Sequence, residues 1–139
     1  MTPAIFALLL LGQLKAGAAA VDITPGAGTP LAGYYHLRLS EGTLDPIFAK
    51  AMVLEDGETR AAIVTLDLIT SPKLLVDEIR LEVERRTGIP GANVMVHATH
   101  AHTGPVLTSR GERNDLLGGA MDVSRRYAGA LPGLSLIHI

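Results

Sequence analysis

The sequence predicts an α/β fold, with a mixed β-sheet and flanking helices. Three observations predict it: an Asp-Gly hairpin signal joins two apolar segments, an amphipathic helix with clear end signals follows them, and a short apolar segment comes after that helix. The order strand, hairpin, strand, helix, strand indicates a sheet with partly mixed pairing.

The first three strands are predicted before the helix. Residues 16–24 mix small and apolar side chains, and the glycine- and proline-rich residues 26–33 follow as a loop. Residues 47–54 and 60–68 are the hairpin strands, joined by the Asp-Gly turn in 55–58. The second hairpin strand is almost continuously apolar, which predicts burial on both of its faces.

The helix is predicted to be capped by Ser71, with Pro72 at its first position and Gly88 at its end. Its apolar face is formed by residues at helical spacing, namely Val76, Ile79 and Val83. Residues 93–98 are predicted to be a short strand, and a last helix is predicted over about 121–131.

Composition excludes several classes of function. The 139 residues are 47% apolar and 19% charged, with a net charge of −2 and a mean hydropathy of +0.30. The chain is therefore predicted to be globular, without a basic surface for nucleic acid. The absence of cysteine excludes disulfides, thiolate metal ligands and a cysteine nucleophile. The oligomeric state is left open.

The two ends of the chain are set apart from the domain. Residues 4–11 are an apolar run too short to span a membrane, which favours a leader or signal segment over 1–14 and a secreted or periplasmic location. A truncated or misassigned start is the alternative. Residues 134–139 have no cap or closing element and are interpreted as a non-native tail, so the domain is expected over 15–133.

Three of the five histidines, His97, His100 and His102, lie within six residues at the end of the last predicted strand. Imidazole suits both metal binding and proton transfer at neutral pH. If the strand continues through His100, then His100 and His102 can share one side while His97 points to the opposite face. A His-x-His pair of this kind suits zinc, and histidines bonded to backbone in a polar turn are the alternative.

Ordered motifs that run from residue 15 to this histidine turn resemble one family. Residues 15–25, Lys-Ala-Gly-Ala-Ala-Ala-Val-Asp-Ile-Thr-Pro, and residues 30–34, Pro-Leu-Ala-Gly-Tyr, resemble the opening of the neutral/alkaline (non-lysosomal) ceramidases and their bacterial relatives. Residues 45–51 and 64–68 continue the resemblance. Residues 98–105, Ala-Thr-His-Ala-His-Thr-Gly-Pro, are close to the Thr-His-Thr-His-Ser-Gly-Pro turn of that family. The resemblance implies the N-terminal, incomplete part of a larger catalytic domain.

The resemblance also implies a zinc-dependent amidase that hydrolyses the N-acyl bond of ceramide to sphingosine and a fatty acid. His100 matches a zinc ligand, whereas His102 matches a residue beside the substrate that binds it or handles protons. Spacing alone would make both histidines ligands, so the two interpretations differ on His102. The resemblance assigns no role to His97, which is expected to be packed or bonded to backbone.

Two further residues are expected around His100. Asp67 matches an acidic residue that recurs at a strand end in the family, and it could orient the His100 ring without itself binding the metal. A solvated or capping aspartate is the alternative. Thr99 could hydrogen-bond around the same site. Leu44 departs from the family pattern, because many relatives have a histidine before this Asp-Pro, and the departure weakens any role for that turn.

The chemistry implied is attack on an amide carbonyl by a water whose pKa zinc lowers to about 7. Such a site needs about three protein ligands, and the family takes a further His, Glu and Tyr from beyond the region covered here, so this chain alone is predicted to be inactive. The expected partner is a ceramide-like lipid amide reached from a membrane surface. A relative acting on another amide or ester, and a non-catalytic α/β domain with structural histidines, are the alternatives.

Overall fold

The computed structural model describes residues 13–107 and 112–134, so nearly all of the predicted leader and tail lies outside the described residues. The strands are β1 (Lys15–Asp22), β2 (Phe48–Asp56), β3 (Thr59–Leu66) and β4 (Val94–Ala98). The helices are α1 (Lys73–Thr87), α2 (Glu112–Leu116) and α3 (Asp122–Leu134), with a short 3-10 turn at Gly91–Asn93.

The described strands form one sheet in the order β1-β2-β3-β4. β2 pairs antiparallel with both β1 and β3, while β3 and β4 are parallel because α1 carries the chain back between them. Gly57 lies in the hairpin turn with a φ of 59°, a value that glycine adopts without steric cost. The predicted α/β class with a mixed sheet and flanking helices is confirmed.

One face of the sheet carries the core. Val64 and Leu66 of β3 are fully buried there, and they pack with apolar residues of the helices, namely Leu75, Ile79, Val83 and Leu131. The prediction that β3 is buried on both faces is wrong, because Ile63 and Thr65 on its outer face stay partly exposed. The reason is that α1 and α3 both contribute to the core on the same side.

The limits of α1 differ from the prediction at one end only. Pro72 occupies the N-cap position and no side chain caps the helix, so the expected cap at Ser71 is wrong. Pro72 cannot donate a backbone hydrogen bond, and the helix begins at the next residue. Gly88 ends the helix as predicted, with a φ of 72° and its N–H donated to the Glu84 carbonyl at 2.9 Å.

Beyond the sheet, α3 extends to Leu134, past the predicted end near residue 131, and Pro132 lies inside its last turn. The short helix α2 was not predicted. The Tyr127 hydroxyl donates to the carbonyl of Ile23 at 2.7 Å, and Ile23 is only 2% exposed. This bond ties α3 to the residue that follows β1.

Candidate metal and substrate site

The histidine turn begins where β4 ends, at Ala98. Extended backbone therefore does not continue through His100 as expected, because His100 has a left-handed φ of 62°. The turn is held to the end of β3: Thr99 N–H donates to the Leu66 carbonyl and Ala101 N–H to the Leu68 carbonyl, each at 3.0 Å. His100 is thus positioned by two backbone bonds that flank it.

The other side of the turn is bonded to the glycine-rich loop that follows β1. Ala32 N–H donates to the Gly104 carbonyl at 2.8 Å, and Thr103 N–H donates to the Ala32 carbonyl at 3.0 Å. Val106 N–H donates to the Pro30 carbonyl at 2.8 Å. Two of the motifs that carried the family resemblance, residues 30–34 and 98–105, are therefore joined by backbone hydrogen bonds.

The imidazole of His100 has one nitrogen engaged. Its Nδ1 lies 2.8 Å from the backbone carbonyl oxygen of Ile69. A carbonyl only accepts, so Nδ1 carries a proton, and in the neutral imidazole Nε2 keeps its lone pair. Metal-ligating histidines are commonly oriented in this way, by donating the second ring N–H to a carbonyl. Since the side chain is also exposed, His100 fits a zinc ligand.

His102 lies beside His100, with their ring centroids 5.3 Å apart and the ring planes at 72°. Its ring also packs against the backbone of Gly33, where an added Cβ would come within 2.7 Å of the imidazole Cγ. The contact with Gly33 was not predicted, although Gly33 stands within the quoted motif. The structure brings together the two histidines that the sequence singled out.

His97 is separate from this pair. It lies on β4, opposite Thr65 of β3, and its Nε2 is 2.8 Å from the Thr65 hydroxyl. The ring is half-buried on the outer face of the sheet. His97 is packed as expected, but its partner is a side-chain hydroxyl and not the backbone.

Asp67 lies directly after β3 and its side chain is only 16% exposed. Its carboxylate accepts hydrogen bonds from Phe48 N–H at 3.0 Å, Lys50 Nζ at 3.0 Å and the Thr99 hydroxyl at 3.3 Å. Burial pushes the pKa of Asp67 upward, but the lysine and these donors outweigh it and hold the pKa below its usual value. Asp67 and Thr99 therefore contact each other, while the bond to the His100 ring comes from Ile69.

No group of three or more His, Asp or Glu side chains within residues 13–107 and 112–134 could hold a metal ion. His100 fits zinc chemistry through its free Nε2, and His102 is its immediate neighbour. A catalytic zinc with about three protein ligands would need donors in addition to these.

A cavity of about 650 Å³ opens next to the turn, and Thr103 forms part of its wall. The rest of the lining comes mainly from loop residues, including Leu31, Tyr34, Arg38, Leu44 and Ile47. The Arg38 guanidinium lies 4.8 Å from the centroid of the Tyr34 ring. The lining combines apolar side chains with polar and charged ones, among them Arg38, Glu41 and Asp45.

In the described part of the chain, no helix is both long enough and apolar enough to cross a membrane. No family model matches the sequence, and no curated protein matches it.

Solved structures do match the fold. The crystal structure of neutral ceramidase from Pseudomonas aeruginosa has a TM-score of 0.69 and 22% identity, over 88% of this chain and 21% of that chain. A ceramidase complexed with C2 has a TM-score of 0.59 and 21% identity, over 86% of this chain and 21% of that chain. The chain therefore has the fold of part of a neutral ceramidase, and it spans about one fifth of the length of these two proteins.

Proposed function

We propose that the chain is the N-terminal part of a zinc-dependent amidase that resembles neutral ceramidase and hydrolyses the N-acyl bond of ceramide to sphingosine and a fatty acid. The observation that carries the proposal is the orientation of His100, whose Nδ1 is bonded to the Ile69 carbonyl and whose Nε2 is left for a metal. The ordered sequence motifs and the ceramidase fold support the same function.

In this proposal each residue of the site has a separate task. His100 holds zinc through Nε2, and the Ile69 carbonyl keeps its ring in the required tautomer. His102, with its ring beside that of His100, binds the substrate or moves a proton at the amide. Asp67 and Thr99 stiffen the turn that carries His100, because they bond to each other across the ends of β3 and β4. Zinc, when bound, would polarise the amide carbonyl and activate water.

Further ligands, a His, a Glu and a Tyr, are proposed to come from a longer parent protein, which would leave the 139-residue chain inactive alone. We also propose that the parent is secreted or periplasmic, on the basis of the apolar run in residues 4–11, which lies outside the described residues. The substrate would be a ceramide-like lipid amide.

The test uses the parent reading frame, purified with zinc and assayed on a fluorescent N-acyl sphingosine. His100→Ala should remove the bound zinc and lower hydrolysis by more than about 100-fold. His97→Ala is the matched control, since His97 is bonded to Thr65, and it should keep both zinc and activity. Retention of zinc and activity in His100→Ala, or a parent without the further ligands, would contradict the proposal.

Two further measurements separate the alternatives. Calorimetric titration of the 139-residue chain with zinc should give only weak binding, and a tight one-to-one site abolished by His100→Ala would show that the chain holds a complete site. Parent enzyme that cleaves simple amides or esters but not ceramide would favour a relative with another substrate.

A further inference from the structure

The connection between β3 and α1, residues 67–72, holds the histidine turn in place. The carbonyl of Leu68 accepts a hydrogen bond from the N–H of the residue after His100, at 3.0 Å. The next carbonyl, that of Ile69, lies 2.8 Å from Nδ1 of the His100 ring. Two consecutive peptide units of this connection therefore hold the backbone and the ring at position 100.

Leu68 anchors these two peptide units in the core. It stands opposite His100, because the bond from Ala101 N–H to the Leu68 carbonyl is the next one in the parallel ladder after the pair Leu66–Ala98. Its side chain is 0% exposed and belongs to the core cluster, whereas the neighbouring residues on both sides are only half-buried. The core contact of this part of the connection is therefore that of Leu68.

The chain also bends tightly just before Leu68. Leu68 N–H donates to the Leu66 carbonyl at 2.8 Å, so a single residue, Asp67, lies between donor and acceptor. Asp67 is itself held by Phe48, through a backbone bond of 2.9 Å to its N–H and one of 3.0 Å to its carboxylate. The bend and the buried side chain of Leu68 together fix the direction of the Ile69 carbonyl.

We propose that Leu68 is a positioning residue for the candidate zinc ligand. By packing in the core it holds the Ile69 carbonyl against Nδ1 of His100, and so keeps the proton on Nδ1 and the lone pair on Nε2. The neutral ring of an unrestrained histidine favours the proton on Nε2, and a carbonyl held at Nδ1 reverses that preference. This inference rests on the proposed function, because the tautomer matters only if His100 binds metal through Nε2.

The experiment measures the tautomer of His100 in the full chain without zinc. Long-range nitrogen–proton NMR spectra of isotope-labelled histidine are recorded at about pH 8.5, where imidazole is ordinarily neutral. The His100 signals are identified by their loss in His100→Gln. The Nδ1–H form should dominate in the wild type. In Leu68→Ala the ratio of Nδ1–H to Nε2–H should fall by about threefold to tenfold, because the carbonyl that fixes the proton is no longer held.

Leu131→Ala is the matched control. Leu131 is also 0% exposed and belongs to the same core cluster, but it lies on α3. The control removes the same atoms from the core and should leave the His100 ratio unchanged. The ring of His97, bonded to Thr65, should stay constant in every variant. If Leu68→Ala does not fold, Leu68→Val and Leu131→Val make the same comparison with smaller cavities.

An unchanged ratio in Leu68→Ala, or an equal fall in Leu131→Ala, would overturn the positioning role. A wild-type ring that carries its proton mainly on Nε2 would overturn it too. The ratio is measured without zinc, substrate or hydrolysis, whereas the zinc content and activity of the parent enzyme test the amidase. The two proposals can therefore fail separately.

Discussion

The ring of His102 rests on the backbone of Gly33, 69 positions earlier in the chain, and leaves no space for a side chain at that position. Gly33 also has a φ of 93°, a left-handed value that favours glycine. A side chain at position 33 would therefore both strain the loop and displace the imidazole beside the candidate zinc ligand.

Gly33→Ala should destabilise the chain more than Gly28→Ala does. Gly28 has a similar φ of 82°, but an added Cβ there meets nothing within 4 Å. The control should therefore lose about 1 kcal/mol from backbone conformation alone, and Gly33→Ala a further 1–3 kcal/mol, roughly, from overlap with His102. Urea unfolding measures both, and the His102 ring resonances should shift only in Gly33→Ala. Equal losses would mean that the contact between Gly33 and His102 is unimportant.

Thr103→Asn should stabilise the chain. Thr103 has a left-handed φ of 68°, which a β-branched residue adopts at a cost and asparagine tolerates. The expected gain in the free energy of unfolding is about 0.5–1 kcal/mol. Thr43→Asn is the control, because Thr43 is exposed and is not among the residues with positive φ. A loss of stability in Thr103→Asn would show that the threonine hydroxyl matters more than the backbone.

Asp67 should make stability depend on acid pH. Its carboxylate has a pKa held below the ordinary 3.8, so the folded state binds this proton less readily than the unfolded state. Its contribution is therefore complete above pH 3.8 and is lost as the pH falls through the lower folded value. Asp67→Asn should lower the free energy of unfolding by roughly 1–2 kcal/mol at neutral pH and by much less in acid.

Urea titrations at about pH 7 and about pH 3 measure this difference. Asp45→Asn, which removes a carboxylate from an exposed position, is the control for a general change of charge. A deficit in Asp67→Asn that is the same at both pH values would contradict a role for the ionised carboxylate.

Tyr127→Phe should weaken the attachment of α3. The variant leaves the carbonyl of buried Ile23 without the donor that lies at 2.7 Å, at a cost of about 1–2 kcal/mol. Burial, and secondarily the negative charge of Asp22, raise the pKa of Tyr127 well above 10.0. Wild-type stability should therefore fall as the pH rises above 10.0, since the unfolded state loses this proton first.

Tyr127→Phe should show less of this alkaline decline when thermal unfolding is followed as a function of pH. Tyr35→Phe serves as the control, because Tyr35 is exposed and should contribute nothing to the free energy of unfolding. An unchanged alkaline decline in Tyr127→Phe would assign the effect to other groups.

The parts of the fold that local sequence decides were predictable. The Asp56-Gly57 turn, the end of α1 at Gly88 and the position of the histidine turn after β4 each depend on a few neighbouring residues. The start of α1 was misplaced by one position, since a serine before a proline satisfies the pattern of a cap without making its hydrogen bond.

Tertiary structure decided how the histidines differ from one another. By sequence, His97, His100 and His102 are three similar imidazoles in one short segment. The partners that separate them lie about 30 to 70 positions away: Thr65 for His97, the Ile69 carbonyl for His100, and Gly33 for His102. Such partners follow from strand register and loop packing, which no local pattern encodes. The sequence alone thus points to a candidate site in this segment. The packing of residues distant in the chain determines which nitrogen of the His100 ring is left without a backbone partner.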